Sequence, residues 1–150
     1  MNRNVYRVML VEDNPDHAEL VRRVLQNHRI PSTIDHFADG REALDFLLGN
    51  GSGGGPPDPL PDVMLLDLRL TRVDGLEVLK VIKEHERLRA IPVVILTSSE
   101  ASRDIAAAYQ RHANSYLVKP VGYEGFVELM EDLGSYWLTW NTPAPLGAVP

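Results

Sequence analysis

The 150-residue sequence has no cysteine, fewer basic than acidic residues and no long apolar run. Without cysteine, disulfide bonds and thiolate chemistry are excluded. With 15 Lys and Arg against 21 Asp and Glu, the net charge of −6 argues against a nucleic-acid-binding surface, which needs concentrated positive charge. No apolar run approaches the roughly 20 residues of a membrane span, and the N-terminus has no signal-peptide core. A cytoplasmic protein is therefore expected.

The apolar residues that are present, 44% of the chain, occur in two alternating patterns. Short apolar runs predict strands at 6–11, 33–37, 63–67, 92–97 and 115–118. Segments with helical spacing predict helices that start near residues 15, 41, 76, 103 and 122, the last reaching residue 140. Strands that alternate with helices imply a single-domain, doubly wound α/β fold, with one parallel sheet covered by helices on both faces.

Residues 49–61 form the one low-complexity segment. It contains five glycines and four prolines, which is incompatible with regular structure. We interpret it as an exposed, mobile loop. A linker between domains is the alternative, but the flanking halves are too small to fold separately. Residues 1–140 are therefore expected to form one domain, and the uncharged residues 141–150 an extended or disordered tail.

Acidic, hydroxyl and ammonium side chains lie at the ends of four predicted strands. Glu12 and Asp13 follow the first strand, Asp67 ends the third, Thr97 ends the fourth and Lys119 follows the fifth. The carboxyl ends of parallel strands share one edge of the sheet, where ligands bind. Each residue alone is more often a turn former, a cap or a solvated side chain. The joint pattern predicts a common site.

This combination of residues favours phosphoryl chemistry assisted by a cation. Clustered carboxylates repel one another and favour a bound cation, and oxygen ligands suit Mg²⁺. A carboxylate is also a possible nucleophile that would form an acyl phosphate. Lys119 could supply a positive charge and Thr97 a hydroxyl donor to the phosphoryl oxygens.

The same positions resemble response-regulator receiver domains of the CheY type over nearly the whole chain. The matching motifs are Glu12-Asp13, Leu65-Leu66-Asp67-Leu68, Asp74-Gly75, Thr97-Ser98 and Lys119-Pro120. The resemblance implies a flavodoxin-like fold with strand order 2-1-3-4-5. Asp67 would accept the phosphoryl group and, with Asp13, bind Mg²⁺. The third protein ligand would be the backbone carbonyl of Arg69, and Glu12 would act through a water molecule.

The resemblance also implies a switch. Thr97 and Lys119 would hold the phosphoryl group, and Tyr116 matches the switch aromatic of the family; on the residues alone, Tyr116 is a half-buried strand residue. A phosphoryl group on Asp67 would draw Thr97 inward, and Tyr116 would turn into the vacated space. The surface around the weakly anchored fourth helix would then shift.

A narrower resemblance is to stand-alone receivers that pair with phytochrome kinases. It rests on the sequence around His112, on the long insert 49–61 before the third strand, and on the Tyr-Trp-Leu sequence at 136–138 near the end of the last predicted helix. A histidine kinase of the phytochrome type is the expected phosphoryl donor. Because no room remains for an output domain, the expected target is a downstream protein, and neither nucleic acid nor membrane is expected as a partner.

The last predicted helix carries an aromatic ending that a small domain has little core left to cover. Tyr136, Trp137 and Trp140 lie there. Exposed aromatic surface is typical of a protein interface. We therefore expect a homodimer built partly on the last helix, the fifth strand and the fourth helix.

Three other functions use parts of the same pattern. A phosphohydrolase of the haloacid dehalogenase type needs a second acid two residues after its nucleophile, where Arg69 cannot serve. A flavin binder needs a hydroxyl- or glycine-rich phosphate loop after the first strand, where Glu12 and Asp13 would repel a phosphate. A relay intermediate that passes the phosphoryl group to a histidine phosphotransfer protein stays open. Beyond self-phosphorylation from phosphohistidine and autodephosphorylation, no enzyme activity is expected.

Overall fold

The five predicted strands form one parallel sheet in a computed structural model that describes residues 5–49 and 55–142. The strands are β1 (Tyr6–Val11), β2 (Ser32–Phe37), β3 (Val63–Leu66), β4 (Val93–Thr97) and β5 (Ser115–Val118). Neighbouring strands are parallel, and their order is β2-β1-β3-β4-β5. The flavodoxin-like order is therefore confirmed, and the strands that carry the predicted site residues lie side by side.

Five helices alternate with the strands. They are α1 (Pro15–Gln26), α2 (Gly40–Leu48), α3 (Gly75–Glu84), α4 (Ser102–Gln110) and α5 (Tyr123–Ser135), and a 3-10 turn (Leu88–Ala90) precedes β4. The side chains of Asn14, Asp39 and Asp74 accept hydrogen bonds from first-turn N–H groups and so stabilise the starts of α1, α2 and α3. The cap position of α4 is occupied by Ala101, and no side chain caps this helix.

The core consists of two apolar layers, one on each face of the sheet. Alternate residues of the strands point to opposite faces. Val8 and Leu10 pack with α1 and α5, whereas Met9 and Val11 pack with α2, α3 and α4. The buried residues of α4 are Asp104 and Ala108. The prediction that few large side chains anchor α4 is therefore confirmed.

The C-terminal end differs from the single helix predicted to residue 140. A π-helical turn (Tyr136–Trp140) follows α5, and the N–H of Asn141 donates to the carbonyl oxygen of Tyr136, five residues earlier. Leu138 is buried and Trp137 half-buried against the layer formed with α1 and α5. Trp137 therefore contributes part of its side chain to the exposed aromatic surface, while Tyr136 and Trp140 are 52% and 78% exposed.

Parts of the predicted loop and tail, 50–54 and 143–150, lie outside the described residues. The described end of the loop contacts the body of the protein. The Arg87 guanidinium donates to the Pro57 carbonyl at 3.3 Å and pairs with Asp58 at 3.3 Å. None of the helices within 5–49 and 55–142 is long and apolar enough to cross a membrane.

Candidate functional site

The strand register brings the predicted site residues to one edge of the sheet. Val11, the last residue of β1, lies beside Leu66, the last residue of β3. Hydrogen bonds continue beyond the strand ends, because the N–H of Asp67 donates to Val11 at 3.1 Å. The N–H of Lys119 likewise donates to the carbonyl of Thr97 at 2.8 Å. Each residue after a strand is thus held by its neighbouring strand.

Lys119 is the centre of this edge. Its ammonium donates to Glu12 Oε1 at 2.5 Å and to Asp67 Oδ2 at 2.9 Å. The side chains of Lys119, Glu12 and Asp67 are 3%, 1% and 8% exposed, so all three charges are buried. Burial raises the pKa of Glu12 to about 7, and the hydrogen bond from Lys119 limits the rise. The predicted meeting of these three residues is found in the structure.

His17 also contacts Lys119, which the sequence analysis missed. Its Nδ1 lies 3.0 Å from the Lys119 ammonium, and its ring packs edge-on against Phe126 with centroids 5.2 Å apart. Burial and the ammonium lower the pKa of His17, which favours the neutral ring that can accept this hydrogen bond. The available signal was position, because His17 lies in the first turn of α1, directly after the strand end that carries Glu12 and Asp13.

Three carboxylates at this edge form a donor set that suits a metal ion. Glu12, Asp13 and Asp67 each offer an oxygen, and these oxygens lie within 4.8 Å of one another. Asp13 is exposed to solvent, whereas the other two are buried. All-oxygen donors with an open side fit a hard divalent cation that keeps several waters. The backbone carbonyl of Arg69 as a further ligand stays a prediction.

Gly75 allows α3 to lie directly against the backbone of Asp67. A Cβ atom at position 75 would lie 2.2 Å from the Asp67 carbonyl oxygen and 2.6 Å from the Cα of Leu68. The N–H of Gly75 donates to the carbonyl of Leu68 at 3.0 Å, and Asp74 caps the helix. The Asp74-Gly75 motif therefore positions the loop that follows Asp67.

Thr97 and Tyr116 are linked through Ser99 rather than by direct contact. Thr97 is fully buried, and its Oγ1 accepts a long hydrogen bond of 3.5 Å from the N–H of Ser99. The half-buried Tyr116 donates its hydroxyl to the carbonyl of Ser99 at 2.9 Å. Burial raises the pKa of Tyr116. Ser99 thus connects the end of β4 with the aromatic side chain of β5.

Asp104 is a second residue that sequence reasoning missed. Its Oδ2 accepts hydrogen bonds of 2.5 Å from the Ser99 hydroxyl and from the Arg69 guanidinium. The N–H of Arg69 also donates to Asp67 Oδ1 at 3.2 Å. The available signal was an acid in the first turn of a helix that has few apolar anchors.

The sequence profile of the response regulator receiver domain matches residues 8–131. The chain belongs to this family. Receiver domains of this kind are signalling proteins rather than classical enzymes. They bind a divalent metal ion at an acidic site, and the cluster of Glu12, Asp13 and Asp67 fits such a site.

Two curated proteins are similar to this receiver over most of their length. The chain is 47% identical over 139 residues to the probable methanogenesis regulatory protein FilR2 of Methanothrix harundinacea, covering 92% of this chain and 88% of that protein. It is 39% identical over 142 residues to response regulator Rcp1 of Synechocystis sp., covering 91% and 92%.

Two solved receivers share the fold. The Mn²⁺-bound form of Rcp1 has a TM-score of 0.86 and 35% identity in the structural alignment, which covers 93% of this chain and 99% of that one. The phosphorylated cyanobacterial phytochrome response regulator RcpA has a TM-score of 0.85 and 33% identity, with coverage of 93% and 99%. This receiver is therefore related to phytochrome response regulators.

Proposed function

We propose that this receiver accepts a phosphoryl group from a histidine kinase on Asp67 and thereby changes a surface that binds another protein. The observation that carries the proposal is the buried contact of Lys119 with Glu12 and Asp67, beside the exposed Asp13. This pocket holds one nucleophilic carboxylate, two further acids and one fixed ammonium. A carboxylate nucleophile and a fixed positive charge are groups that phosphoryl transfer to a carboxylate uses.

In the proposed reaction, a carboxylate oxygen of Asp67 attacks the phosphorus atom of a phosphohistidine. A P–O bond forms an acyl phosphate while the P–N bond breaks, and the imidazole leaves with a proton. Lys119 already donates to Asp67 Oδ2 and is placed to donate to a phosphoryl oxygen. Hydrolysis by water would break the P–O bond and return the carboxylate and inorganic phosphate.

We propose Mg²⁺ as the physiological cation of the acidic site. Asp13, Asp67 and the backbone carbonyl of Arg69 would hold it, and Glu12 would act through a water molecule. When bound, Mg²⁺ supplies positive charge that offsets the negative charge of the phosphoryl oxygens. The related Rcp1 has an Mn²⁺-bound form, which supports a divalent cation as the ligand of this receiver.

The proposed output is a change around α4. Thr97 would move inward and donate a hydrogen bond to the phosphoryl group. Tyr116 would then turn into the space that Thr97 leaves. Tyr116 would have to give up its present hydrogen bond to the Ser99 carbonyl, which ties this movement to the loop before α4. Because Asp104 and Ala108 are the two buried residues of α4, few buried contacts would oppose a movement of this helix.

The test of phosphoryl acceptance is intact mass after incubation with acetyl phosphate, with and without Mg²⁺. We expect wild type to gain one phosphoryl group only with Mg²⁺, and Asp67→Asn to gain none. Asp45→Asn, an exposed acid on α2, is the control and should behave as wild type. No gain in wild type, or an equal gain in Asp67→Asn, would refute the assignment.

We propose a phytochrome-type kinase as the phosphoryl donor. The relation to RcpA and Rcp1 supports this choice, and the cytoplasmic location of the pair stays a prediction. Phosphotransfer from a purified phytochrome histidine kinase should be faster than from a histidine kinase of another class. Equal or slower transfer from the phytochrome kinase would contradict the proposal, while leaving the chemistry of Asp67 intact.

We also propose a homodimer that uses Tyr136 and Trp140. Both aromatic side chains are exposed beside the half-buried Trp137. Analytical ultracentrifugation at tens of micromolar should detect a dimer in wild type and a monomer after Trp140→Ser. Val5→Ser, which removes an exposed apolar side chain next to β1, is the control. A monomeric wild type, phosphorylated or not, would refute the dimer.

A further inference from the structure

The Arg69–Asp104 ion pair joins the loop after Asp67 to α4, the helix that the proposed switch moves. Arg69 lies two residues after Asp67, on the loop between β3 and α3, while Asp104 lies in the first turn of α4. The guanidinium Nη2 contacts Asp104 Oδ2 at 2.5 Å. The Asp104 side chain is 9% exposed, whereas that of Arg69 is 61% exposed. One partner is thus buried, and the other reaches it from the solvent side.

Asp104 also fixes the loop that carries Ser99. The Ser99 hydroxyl donates to the same Oδ2 oxygen at 2.5 Å and accepts from the N–H of Ala101 at 3.3 Å. The carbonyl of Ser99 accepts from Tyr116. A single carboxylate therefore connects the loop after Asp67 with α4 and with the proposed switch aromatic.

A phosphoryl group on Asp67 would compete for the guanidinium of Arg69. Arginine binds phosphoryl oxygens through two parallel hydrogen bonds, which are stronger than its single contact with one carboxylate oxygen. The N–H of Arg69 already lies 3.2 Å from Asp67 Oδ1, so its loop is close to the reacting carboxylate. If the guanidinium turned to the phosphoryl group, Asp104 would be a buried carboxylate that has lost its cation, which is costly.

We propose that Asp104 is a positioning residue that holds α4 in its present place by pairing with Arg69, and that phosphorylation releases α4 by drawing the guanidinium to Asp67. This inference rests on the proposed phosphorylation of Asp67. It extends that function by naming the residue pair that transmits the signal. By linkage, a pair that stabilises the unphosphorylated arrangement lowers the affinity for a phosphoryl group.

The first arm of the test measures amide hydrogen exchange of residues 102–110 without any ligand. Asp104→Asn should speed exchange roughly two- to five-fold, since it removes one ion pair. Asparagine also removes a favourable charge from the first turn of α4. The comparison with Arg69→Gln isolates the pair, because Asp104→Asn should accelerate exchange clearly less in that background. Equal effects in both backgrounds would overturn the proposal.

The second arm titrates beryllofluoride, a phosphoryl analogue, in the presence of Mg²⁺. Asp104→Asn should tighten its binding about five-fold, the low end of allosteric coupling, and the gain should vanish in the Arg69→Gln background. Asp45→Asn removes an exposed partner of Arg41 on α2 and should change neither arm. Unchanged or weaker binding by Asp104→Asn would overturn the proposal.

The two arms separate failure of this proposal from failure of the proposed function. If wild type binds no beryllofluoride and gains no phosphoryl group, phosphorylation of Asp67 is refuted and the competition for Arg69 is refuted with it. The exchange arm then still decides whether the ion pair holds α4. If wild type is phosphorylated but the double variants show no coupling, the proposed function stands and the role of Asp104 is refuted.

Discussion

Replacement of Lys119 by methionine should destabilise the fold, because two buried carboxylates lose their cation. Lys119, Glu12 and Asp67 are nearly inaccessible to solvent, and the ammonium donates to both acids. Removal of one partner from a buried ion pair costs about 3–5 kcal/mol. Methionine retains a long apolar side chain, so the lost charge and hydrogen bonds dominate. Uptake of a proton by Glu12, whose pKa burial already raises to about 7, would limit the loss to about 3 kcal/mol.

Urea unfolding followed by tryptophan fluorescence measures this loss. With a urea dependence of about 2 kcal/mol per molar, the midpoint should fall by about 1.5 M. Lys80→Met, an exposed lysine on α3, is the control and should change stability by less than about 0.5 kcal/mol. Adding Glu12→Gln to Lys119→Met should recover part of the loss. A midpoint equal to that of wild type, or no recovery in the double variant, would refute the reasoning.

Three further changes, all on α3, test the site, the core and a half-buried lysine. Gly75→Ala should reduce phosphoryl uptake from acetyl phosphate, measured by intact mass, since its Cβ would lie 2.2 Å from the Asp67 carbonyl; unchanged uptake would contradict this. Leu79→Ala, at a fully buried position of α3, should cost about 2–5 kcal/mol in urea unfolding, whereas Leu79→Met should cost less than about 1.5 kcal/mol. Burial lowers the pKa of Lys83 to about 8, so the unfolded chain binds more protons than the folded one between this value and 10.5. The stability difference between wild type and Lys83→Met should therefore rise with pH across that window, and a flat difference would contradict the assignment.

The fold and the centre of the site could be predicted from local sequence. The apolar run that ends at Asp67 predicts a buried strand with an acid at its carboxyl end, and alternation with helices predicts a parallel sheet. Once strands are parallel, their carboxyl ends share an edge, so Glu12 and Lys119 were expected beside Asp67. The structure brings them into contact.

The contacts around that centre were decided by tertiary structure. Helical spacing indicates which residues share a face, but it does not say which neighbour the face meets. His17 reaches Lys119 because α1 begins over the strand edge, and Asp104 reaches Arg69 because α4 lies beside the loop after β3. Trp137 is half-buried because the chain leaves α5 through a π turn. The sequence by itself therefore determined the parallel sheet and the chemistry at the strand ends, while the order of the strands followed from the resemblance to receiver domains. The placement of helices decided the partners of those groups, because a side chain's neighbours depend on the packing of distant segments.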